Sequence, residues 1–133
     1  MALTQDRNTP KKDTALIAVK VAANAVIKAG ALVVANATGF AAPGSAALNL
    51  TYLGRAEEAV NNTGGLDGAV SIKVLRKPAF SWANSVADAV GQASIGKQCF
   101  IEDDQTVSAT NGANTRSAAG IVVGIDSDGV WVE

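Results

Sequence analysis

The chain has 133 residues, 48% of them apolar and 17% charged, with a formal net charge of -1 and no histidine. Such a chain is long enough for one domain with a core and too apolar to stay disordered, and it lacks the uninterrupted apolar run of about twenty residues that crosses a membrane. The near-neutral balance offers no broad field to nucleic acid or an acidic membrane, and the single cysteine, Cys99, makes no internal disulfide.

Residues 1–14 carry charges of both signs, one proline and no apolar periodicity. This predicts an extended arm that orders only against something else, with Arg7, Pro10, Lys11 and Lys12 as its notable side chains. A tail without a role is the alternative. The polar start has no apolar centre of the kind an export signal needs, so a cytosolic product is expected. From Leu16 the pattern changes, and Ile17, Val19 and Val21 alternate with Ala18 and Lys20 at the period of a half-buried strand. A helix over residues 14–29 is the rival, disfavoured because its β-branched residues would wrap every face of the cylinder.

Gly30 breaks that pattern. Ala31 to Ala35 is a second apolar run, Asn36 to Gly39 supplies a turn, and residues 41–47 read as a loop. Leu48, Leu50 and Tyr52 then alternate up to Gly54, and Asn61 to Gly65 with Asp67-Gly68 form the clearest punctuation in the chain. Val70, Ile72 and Val74 fall on one face of the next predicted strand, which Pro78 ends or pushes to an edge. After Phe80, Trp82 and Ala83, the pair Asn84-Ser85 is placed to cap a short helical turn across Val86 to Ala93. The last stretch, from Gly96 to Glu133, alternates strands and turns, and Asp128-Gly129 between Ile121–Ile125 and Val130–Val132 signals a closing hairpin. Ala29-Gly30 and Ile95-Gly96 each open a run, turn and loop, leading to Leu48–Gly54 and to Ala118–Gly124, a faint internal echo that would mean two similar β modules. The sum is a single β domain over residues 15–133, led by the arm.

Candidate chemistry is sparse. Without histidine the commonest general base and zinc ligand are missing. The carboxylates Glu57-Glu58 and Asp103-Asp104 are neighbours that a strand would send to opposite faces, and Asp126 with Asp128 lacks the remaining ligands of a calcium loop. Turn chemistry accounts for them. Cys99 has no activating partner and reads as a small buried hydrophobe. The glycines lack the strand-to-helix switch and the lysine of a phosphate loop. Trp82 and Trp131 have no basic or polar groove for stacking a base or a sugar, so with Phe80 they are expected in core or subunit-interface packing. Neither an enzyme nor a cofactor is expected.

Taken together, the residues at 1–10 (MALTQDRNTP), Gly54 to Glu58 (GRAEE), Ile95 to Val107 (IGKQCFIEDDQTV) and Ala119 to Asp126 (AGIVVGID) give the chain a likeness to a known family. It resembles the small head decoration, or capsid cement, proteins of Mu-like tailed bacteriophages and prophages, over nearly its whole length. The resemblance implies an all-β, mainly antiparallel small barrel or sandwich, β-tulip-like, with one short helical turn and the extended N-terminal arm. It further implies a structural virion protein on the outer capsid surface, made in the bacterial host cytoplasm, with the major capsid protein as partner. Such a protein needs no nucleic acid, membrane or cofactor, and self-associates as a trimer by preference or as a dimer. The arm, with Arg7, Pro10, Lys11 and Lys12, is then the expected capsid contact. Another head or tail structural component, or a carbohydrate-binding β module displayed through Trp82 or Trp131, are the alternatives.

Overall fold

Residues 1–133 are all described by a computed structural model of the chain. Alternation becomes strand almost wherever it was read. Strands β1 (Leu16–Lys20), β2 (Val26–Ile27), β3 (Leu32–Ala35), β4 (Ala41–Pro43), β5 (Thr51–Ala56), β6 (Val60–Asn61) and β7 (Ser71–Leu75) make the first half. The second half holds β8 (Phe80–Asn84), β9 (Gln98–Ile101), β10 (Thr106–Ser108), β11 (Ala118–Asp126) and β12 (Gly129–Val132). The fold is all-β, as expected.

The spatial order of the first sheet is β1-β7-β5-β3-β4, and a parallel bridge between Val21 and Ala41 joins its two ends. The second half closes as a barrel in the order β8-β12-β11-β9-β10, sealed by parallel pairing of β10 with β8. These are the same arrangement twice. Each strand of one has its counterpart in the other, in the same chain order and with the same antiparallel neighbours.

The correspondence extends to single atoms. One constant interval along the chain separates Gly30 from Gly96, Ala31 from Lys97 and Ala56 from Val122. Gly30 N–H donates to the Ala56 carbonyl and Gly96 N–H to that of Val122, both at 2.8 Å, while Ala56 N–H donates to Ala31 and Val122 N–H to Lys97, both at 2.9 Å. The same interval carries buried Val33 onto Cys99, Ala41 onto Val107 and Gly54 onto Gly120. The echo at Gly30 and Gly96 is therefore a repeated β module, with its later glycine at position 120 rather than 124.

Two cores result, one inside each barrel. Val21, Ile27, Val33, Ala41, Ile72 and Val74 lie in the first, and Phe80, Trp82, Cys99, Ile101, Val107 and Val130 in the second. Strand β3 belongs to both: Val33 points into the first core while Leu32 and Val34 complete the second. The Leu32 N–H donates across to the Asp104 carbonyl at 2.8 Å, and Ser117 Oγ clasps the other side, accepting from Leu50 N–H at 3.0 Å and donating to the Ala47 carbonyl at 2.7 Å.

Three local readings are corrected. Residues 41–43 form β4 rather than loop, since the Asn36 side chain tightens the preceding turn by accepting from the N–H groups of Thr38 and Phe40 and returns the chain alongside β3. Val70 stands exposed just before β7, so only Ile72 and Val74 of that alternation are buried. No helical turn spans Val86 to Ala93, and the sole helical element is a 3-10 turn at Gln92–Ser94. Ser85 Oγ does accept from Asp88 N–H at 3.0 Å, as a cap would, but Asn84 grips Val90 through both its amide groups and Asp88 is taken by the loop after β10. Those rival partners hold the backbone in a loop. The closing hairpin is present, with Ser127-Asp128 as the turn and Gly129, at φ 135°, entering β12 beneath the Trp82 carbonyl.

Candidate functional site

The arm is fully exposed. Every residue from Met1 to Thr14 is solvent-facing, none lies in a strand, and none enters either core. Arg7 spends its guanidinium locally on Thr9 Oγ1 at 2.8 Å, and Pro10, Lys11 and Lys12 project from the same free segment. Its junction with the barrel is the bond from Arg76 N–H to the Ala15 carbonyl at 2.7 Å.

The three aromatic candidates separate. Phe80 and Trp82 alternate inward on β8, with ring centroids 6.2 Å apart, and Arg55 stacks over Phe80 at 4.9 Å. Trp82 is 4% exposed, and its indole N–H donates to the Tyr52 hydroxyl at 3.1 Å across the junction of the barrels. A display role for Trp82 is thereby removed. Trp131 sits between buried Val130 and Val132 and so faces outward, where its indole N–H donates to Asp126 Oδ2 at 2.8 Å. The structure does not bring these rings together with the arm's cations.

Cys99 is completely buried at the position Val33 holds in the other barrel, and burial pushes its thiol up to about 12. Burial likewise pushes the Tyr52 phenol up to about 12, opposed by the bond from Trp82. In both cases the unfolded chain ionises first. The stability these groups contribute is full below their ordinary values of 9.0 and 10.0 and is lost as pH rises through the folded values near 12. At about 1.4 kcal/mol per pH unit, each is worth a few kcal/mol. The urea midpoint is expected to fall steeply above pH 9.0, with Tyr52→Phe removing the part that begins above 10.0. A flat midpoint across that range would contradict the burial.

Sequence reasoning missed one polar cluster in the second barrel. Arg116 reaches Asp88 Oδ2 at 3.0 Å and Glu102 Oε1 at 3.5 Å, and Ser85 Oγ donates to the same Glu102 oxygen at 2.8 Å. Thr110 donates to Asp88 from its hydroxyl at 2.5 Å and its N–H at 3.0 Å. The Thr110 hydroxyl, foremost, and Arg116 hold the Asp88 carboxyl below the usual carboxylate range. Both carboxylates are engaged by donors of the chain itself, so the cluster ties its loops together. Its members are scattered from Ser85 to Arg116, and no spacing rule joins them. Of the other paired carboxylates, Glu57 pairs with Arg55 at 2.7 Å, Glu58 accepts from Lys73 N–H, and Asp103 accepts from Gln105 N–H.

Two shallow depressions mark the body. One, of about 320 Å³, lies between the barrels and is lined by Lys28 to Ala31 with Asp104 and Gln105. The other, of about 260 Å³, lies where the arm leaves, among Thr14, Tyr52, Leu53, Arg76, Lys77 and Glu133. Neither gathers a nucleophile with a base. The geometry instead offers surfaces for contact: a free arm, an outward tryptophan beside a carboxylate, and the apolar side chains of β11, where Ile121, Val123 and Ile125 are each at least 37% exposed. Comparison with protein-family models, with curated proteins and with solved structures gave no match.

Proposed function

We propose that this chain is a structural virion protein that binds the outer surface of a tailed-phage capsid and cements its lattice of major capsid proteins. The observation that carries the reading is the division of labour along the chain. Residues 15–133 hold both cores, while residues 1–14 stand free and contribute to neither. An extended segment of this kind gains its partners by adding to a neighbour's sheet edge and ordering on contact. The resemblance of the quoted stretches to capsid cement proteins supplies the identity of that neighbour.

A domain of 13.4 kDa offers roughly 800 Å² to any one partner, so single contacts are modest. Several copies held together, as a trimer by preference or a dimer, gain on the order of 10² to 10⁴ in avidity when the lattice spacing matches theirs. Such a clamp distinguishes the expanded shell from its precursor by geometry alone.

Co-sedimentation with Mu-like phage shells stripped of their own decoration tests this. The full chain is expected to pellet with expanded shells and to stay behind with precursor shells; equal binding to both would remove the geometric selectivity. Deleting residues 1–12 is expected to leave the thermal midpoint unchanged and to weaken shell binding by about 10² or more, since each arm contact is multiplied through the oligomer. Full-strength binding by the shortened chain would move the contact to the barrels, and no binding by the full chain would end the proposal.

Trp131 favours a second reading, a carbohydrate-binding module displayed on the virion, because an outward ring beside Asp126 is a stacking platform with an acceptor at its edge. A change in tryptophan fluorescence on a glycan panel, lost in Trp131→Ala, is its signature.

A further inference from the structure

The two barrels differ at one edge, and the difference leaves a strand's place empty. In the first barrel the segment from Gly54 to Asn61 has a neighbour along one whole side. Leu32 of β3 pairs with Arg55, the chain continues through Gly30 and Ala31 against Ala56, and β2 prolongs the same ladder as Ile27 meets Val60 and Val26 meets Asn61. In the second barrel the ladder starts the same way, with Gln98 of β9 opposite Ile121 and with Gly96 and Lys97 bonded to Val122. Then it stops. The residues equivalent to β2 are turned aside in the 3-10 helix Gln92–Ser94, and β11 runs on to Asp126 with only β12 beside it.

Val123 to Asp126 is consequently a bare edge with exposed apolar side chains, Val123 at 47% and Ile125 at 37%. An edge like this is a template for another strand. Its charge is one-sided: from Ala118 to the end the chain carries Asp126, Asp128 and Glu133 and no lysine or arginine. Within the arm, the stretch from Arg7 to Lys12, between Asp6 and Asp13, is one-sided in the opposite sense, with three cations and no acid. None of the arm's residues makes a ladder bond.

We infer that residues 7–12 of one copy add as a strand to the Val123–Asp126 edge of a second copy, filling the place that β2 fills in the first barrel. Pro10 selects the register. Having no N–H, it must face away from the ladder, which turns the backbone groups of Thr9 and Lys11 toward the edge. The same proline blunts the newly added strand, so a third chain does not add behind it. The acids at the hairpin tip set the strand's direction: the arm runs parallel to β11, opposite to the direction of β2, so that Lys11 and Lys12 pass Asp126 and Asp128. Arm and edge are different surfaces, so every copy gives one and receives one, and a closed ring leaves none unpaired. The arrangement deepens the proposed function by stating where the arm rests before it meets a shell, a place it leaves when the shell's sheet edge replaces that of the neighbouring copy. It needs no shell to be tested, so its failure and the failure of the capsid reading are separable.

The test uses the full chain alone, in a dilution series at low salt, followed by light scattering and by hydrogen exchange at Val123 to Asp126. The expected result is a mass above one chain at high concentration, together with slowed exchange of those amides that fades on dilution. Lys11→Glu with Lys12→Glu is expected to weaken association by about tenfold, the equivalent of ~1.4 kcal/mol for two reversed surface pairs. Adding Asp128→Lys, whose side chain makes no bond in the fold, is expected to restore much of it. Slowed exchange that persists unchanged on dilution would mean the arm folds back on its own barrel, and would overturn the exchange between copies. So would a monomer at every concentration, or association indifferent to the charge reversal.

Discussion

Replacing Gly54 with alanine is expected to cost on the order of 3–5 kcal/mol, a large part of what holds a domain of this size together. Gly54 lies in β5 at φ 145°, a conformation that L side chains rarely adopt, and an added Cβ would meet the Leu75 carbonyl oxygen far inside the 3.0 Å that real Cβ atoms keep. Both the strand crossing and the backbone angle are then violated together. Gly120 holds the same position in the second barrel, where its Cβ would meet the Glu133 carbonyl oxygen. Gly120 lacks the positive φ of Gly54, so alanine there meets the close contact without the backbone strain. Gly120→Ala is expected to cost less, about 2–3 kcal/mol, the share of the contact without that of the angle. Urea unfolding of the two variants measures the contrast, and equal midpoints would mean that the crossing in β5 is looser than its geometry.

Leu32→Ala is expected to cost about 2–5 kcal/mol and to uncouple the two barrels. Leu32 has no exposed surface, packs into the second core from a strand of the first, and bonds through its N–H to Asp104. Truncating it opens a cavity in the second core at the strand that serves both cores. Both tryptophans belong to the second barrel, so fluorescence follows that half while far-ultraviolet circular dichroism follows both. The two signals are expected to coincide in the parent chain and to separate in Leu32→Ala. Coincident transitions in the variant would place the coupling elsewhere, at Ser117 or at the Tyr52–Trp82 bond.

The site was less legible than the fold for a physical reason visible in particular residues. Arg7, Pro10, Lys11 and Lys12 announce an arm because polar sequence without periodicity has nothing to bury. Trp82 and Trp131 look alike in sequence, each between strand-forming neighbours, yet one fills a core and the other faces water. Only the register of β8 and β12 assigns their sides. Arg116, Asp88 and Glu102 gave no signal, since loop closure brings them together from separate segments. The helical turn expected after Asn84 failed because Asn84 closes a loop onto Val90 and Asp88 is held by the loop after β10, neither of which local propensity registers.

The amino-acid order by itself determined that this protein is built of short strands, where most of them run, that its last strands form a hairpin, and that its first fourteen residues stay outside. Those properties follow from alternation and from turn chemistry, both of which act over a few residues. Only the tertiary structure decided that the strands close into two matching barrels, that Leu32 and Val34 serve the second core while Val33 serves the first, and that β11 outruns its neighbour at Val123. These depend on which distant backbones meet, and a run apolar on both faces, such as Ala31 to Ala35, states that both sides are buried without stating against what.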